Sequence, residues 1–494
     1  MTARTTTDNH YDAIIIGAGM SGLAAGVRLA MFDKRVVILE QHGKLGGLNS
    51  YYKKHGLEMD VGLHAVTNYA PKGVRRRPLN RLLRQLRLSH DELDLAEQVA
   101  SEIRFPQGII RFANGFESFR DGVLATFPSQ RDAFDRFAAW VAERSTAALQ
   151  TEGRDFVSAR GVMHEAGLDA ALVEMLLCPV QYYGSAWEHD IDFDQFVIMW
   201  EALFVEGLAR PREGVRRVIR RLEDAYKSHG GELELKARVA RLLREENGQQ
   251  LQTPRVHGVE LAGGQRLYAD TVISTAGLVE TQRLLCDDDN EGPESSDEAP
   301  LGRLSFVEAM ALLDRPVREL GLDTAIVFFS TSERFQYRRP DALVDPTSGV
   351  ICCPEHYRYE PPEPAPPPLV RVTTQANHER WRALDPDERR YKQNPAYTQA
   401  KQTVFEPIWQ CAEQVLGVAL RPYMLETDMF TPLTIQKFTK HPTGAVYGSP
   451  EKRRDGRTDY ANLFLCGTDQ GFLGITGAML SGITVANLHV LGRG

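Results

Sequence analysis

Cysteine is scarce in this chain, and its distribution excludes the common metal and redox motifs. The six cysteines among 494 residues are scattered, without a Cys-x-x-Cys pair or a neighbouring histidine cluster with zinc spacing. We interpret the adjacent Cys352 and Cys353 as packing residues, because free cysteine is among the most buried residue types. The pattern favours a reducing, cytoplasmic location and predicts no metal site.

The chain also lacks an excess of positive charge. It has 58 Lys and Arg residues against 66 Asp and Glu residues, which gives a formal net charge of −8 at pH 7. A nucleic-acid-binding surface needs basic residues to neutralise phosphates. The charge balance therefore argues against nucleic acid as a general partner.

Long apolar runs are missing as well. The nearest approach to a membrane span, residues 471–491, contains several Gly and Ser residues as well as Asn487 and His489, which favours a buried core helix. The first ten residues are polar and lack the apolar core of a secretory signal. An apolar share of 43% and a charged share of 25% are typical of globular proteins, and the length predicts two or three lobes.

What the chain does contain, at its start, is the sequence pattern of a dinucleotide-binding unit. An apolar strand, a Gly-x-Gly-x-x-Gly turn, a helix, a second strand and an acid follow one another at residues 11–16, 17–22, 23–30, 35–39 and Glu40. Continuous apolar runs of this length are typical of buried parallel strands. The complete order is far more specific than the glycine turn alone, and it predicts a Rossmann-like fold.

Each part of this unit has a physical role. Gly17 permits the tight turn, Gly19 lets the backbone approach a pyrophosphate, and Gly22 lets the helix pack close to the strand. The start of the helix, which includes Ser21, offers N–H groups and a positive dipole end to phosphates. Glu40 is placed to bind the hydroxyls of the adenosine ribose.

The segment after the acid distinguishes between dinucleotides. Gly46, Gly47 and Leu48 resemble the extended fingerprint of FAD-dependent amine oxidases and phytoene desaturases, in which a double glycine and usually an arginine follow the ribose acid. The chain departs from this pattern at Leu48, which occupies the arginine position. The resemblance implies that the cofactor is FAD.

A further segment, Asp60-Val61-Gly62-Leu63-His64, resembles a D-x-G-x-H segment near the flavin of carotenoid isomerases and retinol saturases. His64 is our candidate for acid–base chemistry or polar positioning beside the flavin. The alternative is a hydrogen-bonded structural histidine, which is a common role for a single histidine.

Two later blocks extend the same resemblance over nearly the whole chain. In the first, Val239 lies where the family contacts adenine through a backbone group, and residues 267–277 resemble the strand that closes the FAD-binding sheet. In the second, the resemblance implies that Gly467 and Asp469 hold the ribityl chain, although Thr468 is inserted between them and is an alternative contact. The following helix, with Ile475 and Thr476 near its start, would direct its N-terminus at the flavin.

The resemblance implies an α/β fold in which an FAD-binding domain is interleaved along the chain with a second, mixed α+β substrate lobe. The FAD-binding parts are predicted at residues 8–70, 213–280 and 440–494. The substrate lobe is predicted from residues 71–212 and 281–439.

A basic segment, Arg75–Arg87, follows the first block. Its arginines surround leucines spaced i, i+3, i+4 and i+7, namely Leu79, Leu82, Leu83 and Leu86. Such a helix can lie on an anionic membrane surface. The other interpretation is a domain helix whose leucines face the core and whose basic side is solvated.

The family resemblance implies a flavoenzyme that desaturates, saturates or isomerises an apolar polyene such as a carotenoid or retinoid. An aromatic group could line the polyene pocket or could simply form the core: Tyr182, Tyr183, Trp187, Phe196, Trp200 and Phe204. A second complete Gly-x-Gly-x-x-Gly is missing, so the electron partner would be oxygen, a quinone or another donor. Two alternatives are an amine oxidase with Lys437 or Lys440 near the flavin, and a non-catalytic escort protein that binds prenyl lipids.

Overall fold

The computed structural model describes most of the chain, namely residues 9–54, 56–148, 155–244, 253–286, 301–361, 366–385 and 391–493. Within these residues the strands are β1 (His10–Ile16), β2 (Val36–Glu40), β3 (Tyr51–Lys54), β4 (Leu57–Asp60), β5 (Val66–Thr67), β6 (Leu95–Glu97), β7 (Ser101–Phe105), β8 (Gly108–Phe112), β9 (Leu208–Pro211), β10 (Glu232–Leu235), β11 (Val239–Arg244), β12 (Val256–Leu261), β13 (Arg266–Ser274), β14 (Ser305–Leu313), β15 (Ile326–Ser330), β16 (Val344–Cys352), β17 (Leu369–Ala376), β18 (Met424–Phe430) and β19 (Leu463–Leu465).

The α-helices are α1 (Met20–Ala30), α2 (Pro78–Leu86), α3 (His90–Leu93), α4 (Phe116–Thr126), α5 (Arg131–Ala148), α6 (Ala159–Glu165), α7 (Ala170–Gly184), α8 (Phe193–Trp200), α9 (Val215–Ser228), α10 (Leu278–Leu284), α11 (His378–Arg382), α12 (Pro395–Leu416), α13 (Pro432–Thr439) and α14 (Gly474–Val485). Two π-helical turns, Glu201–Glu206 and Ala486–Val490, extend α8 and α14.

The first large sheet has the Rossmann-like arrangement that the sequence predicts. Its strand order is β10-β2-β1-β13-β12-β11, and β19 also pairs with β13. Parallel pairing joins β10 to β2, β2 to β1, β1 to β13 and β13 to β19. Antiparallel pairing joins β12 to β13 and β11 to β12. The strands come from three separated parts of the chain, although the domain boundaries themselves remain a prediction. The carboxyl ends of the parallel strands share one edge, where such sheets bind ligands.

The second large sheet forms the mixed α+β lobe and is packed on both faces. Its order is β18-β14-β17-β16-β15-β7-β8, antiparallel except where β15 meets β7. Because successive side chains point to opposite faces, Val327 and Phe329 pack in the core that contains α12, whereas Ile326 and Phe328 pack in the core that contains α7.

Helix α2 places its leucines in the protein core. All four leucines of the stripe are at most 3% exposed, in the same core cluster as residues of α1 and α14, whereas Arg81 and Arg84 are exposed. The apolar stripe is therefore covered by protein. Within the described residues, no helix combines the length and hydropathy that a membrane crossing requires.

Three of the aromatic residues considered for the pocket belong to the core. Phe196, Trp200 and Phe204 are at most 1% exposed. The Phe204 ring stacks on Phe119 with a centroid distance of 4.0 Å. Trp187 is 37% exposed. The remaining two candidates, Tyr182 and Tyr183, are buried at the end of α7, outside this aromatic stack.

Candidate active site

The glycine turn contains three glycines with different constraints. A Cβ on Gly17, which has φ +97°, would lie 2.4 Å from Thr275 Oγ1, and one on Gly22 would lie 2.1 Å from the Gly17 carbonyl oxygen. These two glycines are therefore required by packing within the protein. A Cβ on Gly19 would have no atom within 4 Å, so this position faces an open space. We call this space the cradle, and any side chain at position 19 would occupy it.

The cradle is formed by the N-terminus of α1. Gly19 is the N-cap residue, no side chain caps the helix, and its first turn contains no acidic residue. Ser21 is buried in this turn, and a Cβ on Gly482 of α14 would lie 2.0 Å from the Ser21 carbonyl oxygen. The close contact with α14 fixes a helix end whose dipole and N–H groups suit a pyrophosphate.

Glu40 lies at the carboxyl end of β2, beside the glycine turn. Its Oε2 accepts a hydrogen bond from Ala18 N at 2.9 Å, and its Oε1 accepts one from His42 N at 2.8 Å. Ala237 N donates to the Glu40 carbonyl oxygen at 2.8 Å, which brings the start of β11 near this acid. Val239 is 8% exposed, and its side chain packs in the core on one face of the sheet.

The double glycine also lies at the glycine turn. Gly46 N donates to the Ala18 carbonyl oxygen at 2.9 Å, and a Cβ on Gly47 would lie 3.5 Å from Gly19 Cα. Gly46 has φ +106° and Gly47 has φ +57°, in the left-handed region that favours glycine. Leu48 follows in a short 3₁₀ turn and is partly exposed.

The turn after β19 is organised by Asp469. This residue is 2% exposed, its Oδ1 accepts from Ser449 N at 2.8 Å, and its Oδ2 accepts from Leu278 N at 2.5 Å. Gly467, with φ +104°, donates its N–H to Ser481 Oγ. Both Asp469 oxygens thus hold backbone groups, and its contact with a ribityl chain remains a prediction.

Beside Asp469 lies a lysine, with its side chain 10% exposed, that the sequence did not single out. Lys452 Nζ donates to the carbonyl oxygens of Tyr447 at 2.8 Å and Thr468 at 3.0 Å, and lies 3.9 Å from Asp469 Oδ1. Burial lowers the pKa of Lys452 to about 8. The two lysines considered for an amine oxidase, Lys437 and Lys440, are exposed at the end of α13.

The N-terminus of α14 meets strand β5. Leu473 is its N-cap residue, without a side-chain cap, and Ile475 is buried in the first turn. Thr476 Oγ1 donates to the Thr67 carbonyl oxygen at 2.9 Å. Since Thr67 follows His64 by three residues, this contact brings the helix end close to the chain segment that carries the histidine.

His64 belongs to a buried polar cluster with residues of β14 and β17. Its Nε2 lies 3.1 Å from Thr373 Oγ1 and 3.4 Å from Glu308 Oε2, and the residue is 9% exposed. Burial lowers the pKa of His64, and the nearby Arg371 and Arg210 lower it further, although Glu308 raises it. The imidazole is therefore neutral at pH 7.

The partner of His64 is an ionised carboxylate. Burial alone would raise the pKa of Glu308, but Arg371 and His64 lower it to about 2. Arg371 Nε donates to Glu308 Oε1 at 2.5 Å. The carboxylate favours the tautomer of His64 with its proton on Nε2, which leaves Nδ1 as an acceptor.

Two arginines fix the backbone of this segment. Arg371 Nη1 donates to the Leu63 carbonyl oxygen at 2.7 Å, and Arg210 Nη1 donates to the same oxygen at 2.8 Å and to that of His64 at 3.1 Å. Arg210 also pairs with Asp60, with Nη2 2.5 Å from Oδ2. Neither arginine was predicted from the sequence, although Arg371 in an apolar strand pattern is a signal of a buried partner.

These residues fit FAD. The open cradle at Gly19 suits a pyrophosphate, Glu40 lies beside the glycine turn as predicted for a ribose-binding acid, and the uncapped end of α14 contacts the segment that follows His64. A comparison with known families decides the assignment, because flavin containing amine oxidoreductases match residues 20–488. The chain belongs to the flavin-containing amine oxidoreductase family. It is an oxidoreductase whose cofactor is FAD.

Relatives within this family are named for two reactions. A protein of Danio rerio named all-trans-retinol 13,14-reductase is 22% identical over 97% of this chain and 87% of its own length. A Homo sapiens protein of the same name is 25% identical over 55% of this chain and 48% of its own length. The chloroplastic prolycopene isomerase of Arabidopsis thaliana is 23% identical over 56% of this chain and 49% of its own length. The match thus spans about half the length of the last two relatives.

Solved structures share the architecture of this chain. An oxidoreductase from Methanosarcina mazei superposes with a TM-score of 0.63 at 16% identity, covering 96% of this chain and 99% of its own. A cofactor-binding variant of putrescine oxidase superposes with a TM-score of 0.59 at 16% identity, covering 98% of this chain and 99% of its own. At this identity the likeness shows the fold.

We expect Gly19→Val to fold but to lose FAD. The added Cβ would enter the cradle without meeting protein atoms, and the side chain would displace the pyrophosphate from the helix end. The FAD content, measured by absorbance after purification, should fall at least about tenfold, equivalent to one lost charge-assisted hydrogen bond. Gly263→Val is the control, because that glycine also has no neighbour within 4 Å but lies in the exposed turn between β12 and β13. Full FAD content in Gly19→Val would contradict the assignment.

We expect His64 to make the stability of the protein depend on pH. Because folded His64 has a lowered pKa, the unfolded chain binds more protons as the pH falls below about 6.5, and stability is lost there. Relative to His64→Gln, the wild type should lose at most about 1.4 kcal/mol per pH unit in this range. Thermal unfolding of both proteins between about pH 5 and pH 8 measures the difference. Parallel pH profiles would mean that folded His64 protonates normally.

Proposed function

We propose that this chain uses FAD to desaturate, saturate or isomerise a conjugated isoprenoid of the carotenoid or retinoid type. The proposal depends on the names of two groups of relatives, all-trans-retinol 13,14-reductases and prolycopene isomerases. Both names refer to polyene substrates. The match to the Danio rerio protein extends over 97% of this chain, so it includes the candidate site as well as the FAD-binding turns.

The described residues supply what such a reaction needs around the cofactor. When bound, FAD would supply hydride exchange with carbon, and the protein would provide orientation, electrostatics and exclusion of water. The uncapped N-terminus of α14 is the positive end of the helix dipole, which would stabilise negative charge on a reduced flavin. Neutral His64 can accept or position a proton at Nδ1, and the apolar core that contains Tyr183 and Phe328 keeps water away from this side of the site.

The charges of the site disfavour an amine substrate. An amine oxidase binds a cationic or basic nitrogen, for which an unpaired carboxylate is the natural partner. Here Glu308 is paired with Arg371, Asp60 with Arg210, and Asp469 lies beside Lys452. A neutral, apolar substrate therefore suits these residues better. The complete glycine set and the open cradle at Gly19 likewise favour a flavoenzyme over an escort protein without flavin.

We also propose that the basic side of α2 contacts an anionic membrane surface, from which an apolar polyene would be collected. The buried leucines of α2 take no part in this contact, which is electrostatic. A cleft of about 980 Å³ at this side is lined by residues that include Lys72, Arg75, Arg76, Arg81 and Arg84. Basic residues near an anionic leaflet each contribute about 1 kcal/mol of binding.

The proposed reaction predicts a response of the flavin to polyenes. FAD-loaded protein, oxidised or reduced, is mixed anaerobically with a panel of carotenoids and retinoids, and the products are separated by chromatography. Bleaching of oxidised flavin with longer conjugation indicates desaturation. Reoxidation of reduced flavin with shorter conjugation indicates saturation, and a geometric isomer without net redox change indicates isomerisation.

The flavin-free Gly19→Val variant is the control for these reactions, and it should form no product. A flavin that responds to amines and to none of the polyenes would overturn the proposed function and favour amine oxidation.

The membrane proposal predicts a charge-dependent association with vesicles. Arg81→Glu combined with Arg84→Glu should weaken binding to phosphatidylserine-containing vesicles at least about tenfold in a sedimentation assay. Arg131→Glu combined with Arg318→Glu changes the net charge equally at other exposed positions and should have little effect. Equal binding by both double variants, or equal binding to neutral vesicles, would contradict the proposal.

A further inference from the structure

Tyr183 carries a buried hydroxyl group without a hydrogen-bond partner. The residue lies in the last turn of α7 and is 7% exposed. Within the described part of the chain, its hydroxyl oxygen makes no hydrogen bond. Burying a hydroxyl without a partner destabilises a protein, so such a group in a native core requires an explanation.

The preceding tyrosine shows how the same side chain is accommodated when its role is structural. Tyr182 is 4% exposed, and its hydroxyl lies 3.1 Å from Ser348 Oγ, in hydrogen-bonding contact. Tyr447 hydroxyl donates to the Tyr182 carbonyl oxygen at 2.6 Å. Of these two adjacent buried tyrosines, the protein therefore pairs one hydroxyl and leaves the other unpaired.

The unpaired hydroxyl belongs to the candidate active site. The Tyr183 ring lies 6.1 Å from the His64 ring and 5.5 Å from the Phe328 ring, measured between centroids. The next residue, Gly184, packs against the start of α14, because a Cβ there would lie 2.6 Å from Leu473 Cδ1. Tyr183 therefore lies near both His64 and the helix end at which we place the flavin.

The hydroxyl is chemically able to bind an oxygen atom. Burial raises the pKa of the Tyr183 hydroxyl well above its usual value, although Arg210 and Arg371 lower it. The group therefore keeps its proton at neutral pH. It can donate a hydrogen bond to a carbonyl or alcohol oxygen, and it can accept one from an alcohol.

We propose that Tyr183 binds the terminal oxygen of the substrate, so that the polyene is an alcohol or aldehyde of the retinoid type rather than a hydrocarbon. The assignment rests on the proposed polyene function and narrows it. A site built to hydrogen-bond an oxygen rejects the analogue that lacks it, because the buried polar group then stays unpaired. Since Tyr183 lies beside His64, the double bond that reacts should be close to the oxygenated end of the chain.

The test compares all-trans-retinol, retinal and the hydrocarbon that carries hydrogen in place of the retinol hydroxyl. The value of kcat/KM and the Kd are measured for FAD-loaded wild type, Tyr183→Phe and Tyr182→Phe. The wild type should prefer the oxygenated compounds by about tenfold or more, as expected for one buried hydrogen bond. Tyr183→Phe should retain its FAD, should have an equal or higher Tm, and should lose this preference. Tyr182→Phe should lower the Tm and keep the preference.

Two results would overturn the assignment alone, with the polyene function intact. One is equal reaction of the wild type with retinol and the hydrocarbon. The other is a preference for retinol that survives in Tyr183→Phe. If FAD-loaded wild type reacts with no polyene at all, the proposed function fails and the assignment fails with it. A clear preference between retinol and retinal would identify which oxygen chemistry Tyr183 recognises.

Discussion

The paired arginines Arg210 and Arg371 are the constraint on which the candidate site depends. They lie on β9 and β17, both donate to the carbonyl oxygen of Leu63, and their charges are balanced by Asp60 and Glu308. Buried pairs contribute little net stability, but removal of one partner leaves an uncompensated charge that costs about 3–5 kcal/mol. Their main effect is therefore geometric, since they fix where His64 lies relative to the flavin-binding domain.

The cofactor end of the molecule is built on close backbone contacts. Glycines at positions 17, 22 and 482 allow β1, α1 and α14 to approach so closely that any Cβ would collide with neighbouring atoms. Gly19 alone among the three turn glycines meets no such atom. This contrast separates the glycines that packing within the protein requires from the one that we propose leaves room for the pyrophosphate.

The sequence predicted the parts of the site that are local in the chain. The strand, turn, helix and acid of residues 11–40 lie where the motif places them, because each follows from short-range periodicity and glycine geometry. The partners of His64 were not predictable, because Glu308 and Arg371 are brought together by pairing of β14 with β17, more than 60 residues apart. The basic helix shows the same limit, because a leucine stripe is compatible with a membrane surface or with a protein core. Only its packing against α1 and α14 shows that the stripe lies in the core.

The most direct test of this account is a crystal structure of the FAD-loaded protein. The account predicts the pyrophosphate against Gly19 and the start of α1, the adenosine ribose at Glu40, and the flavin ring between His64 and the start of α14. A flavin ring remote from His64, or a pyrophosphate bound away from the glycine turn, would contradict it.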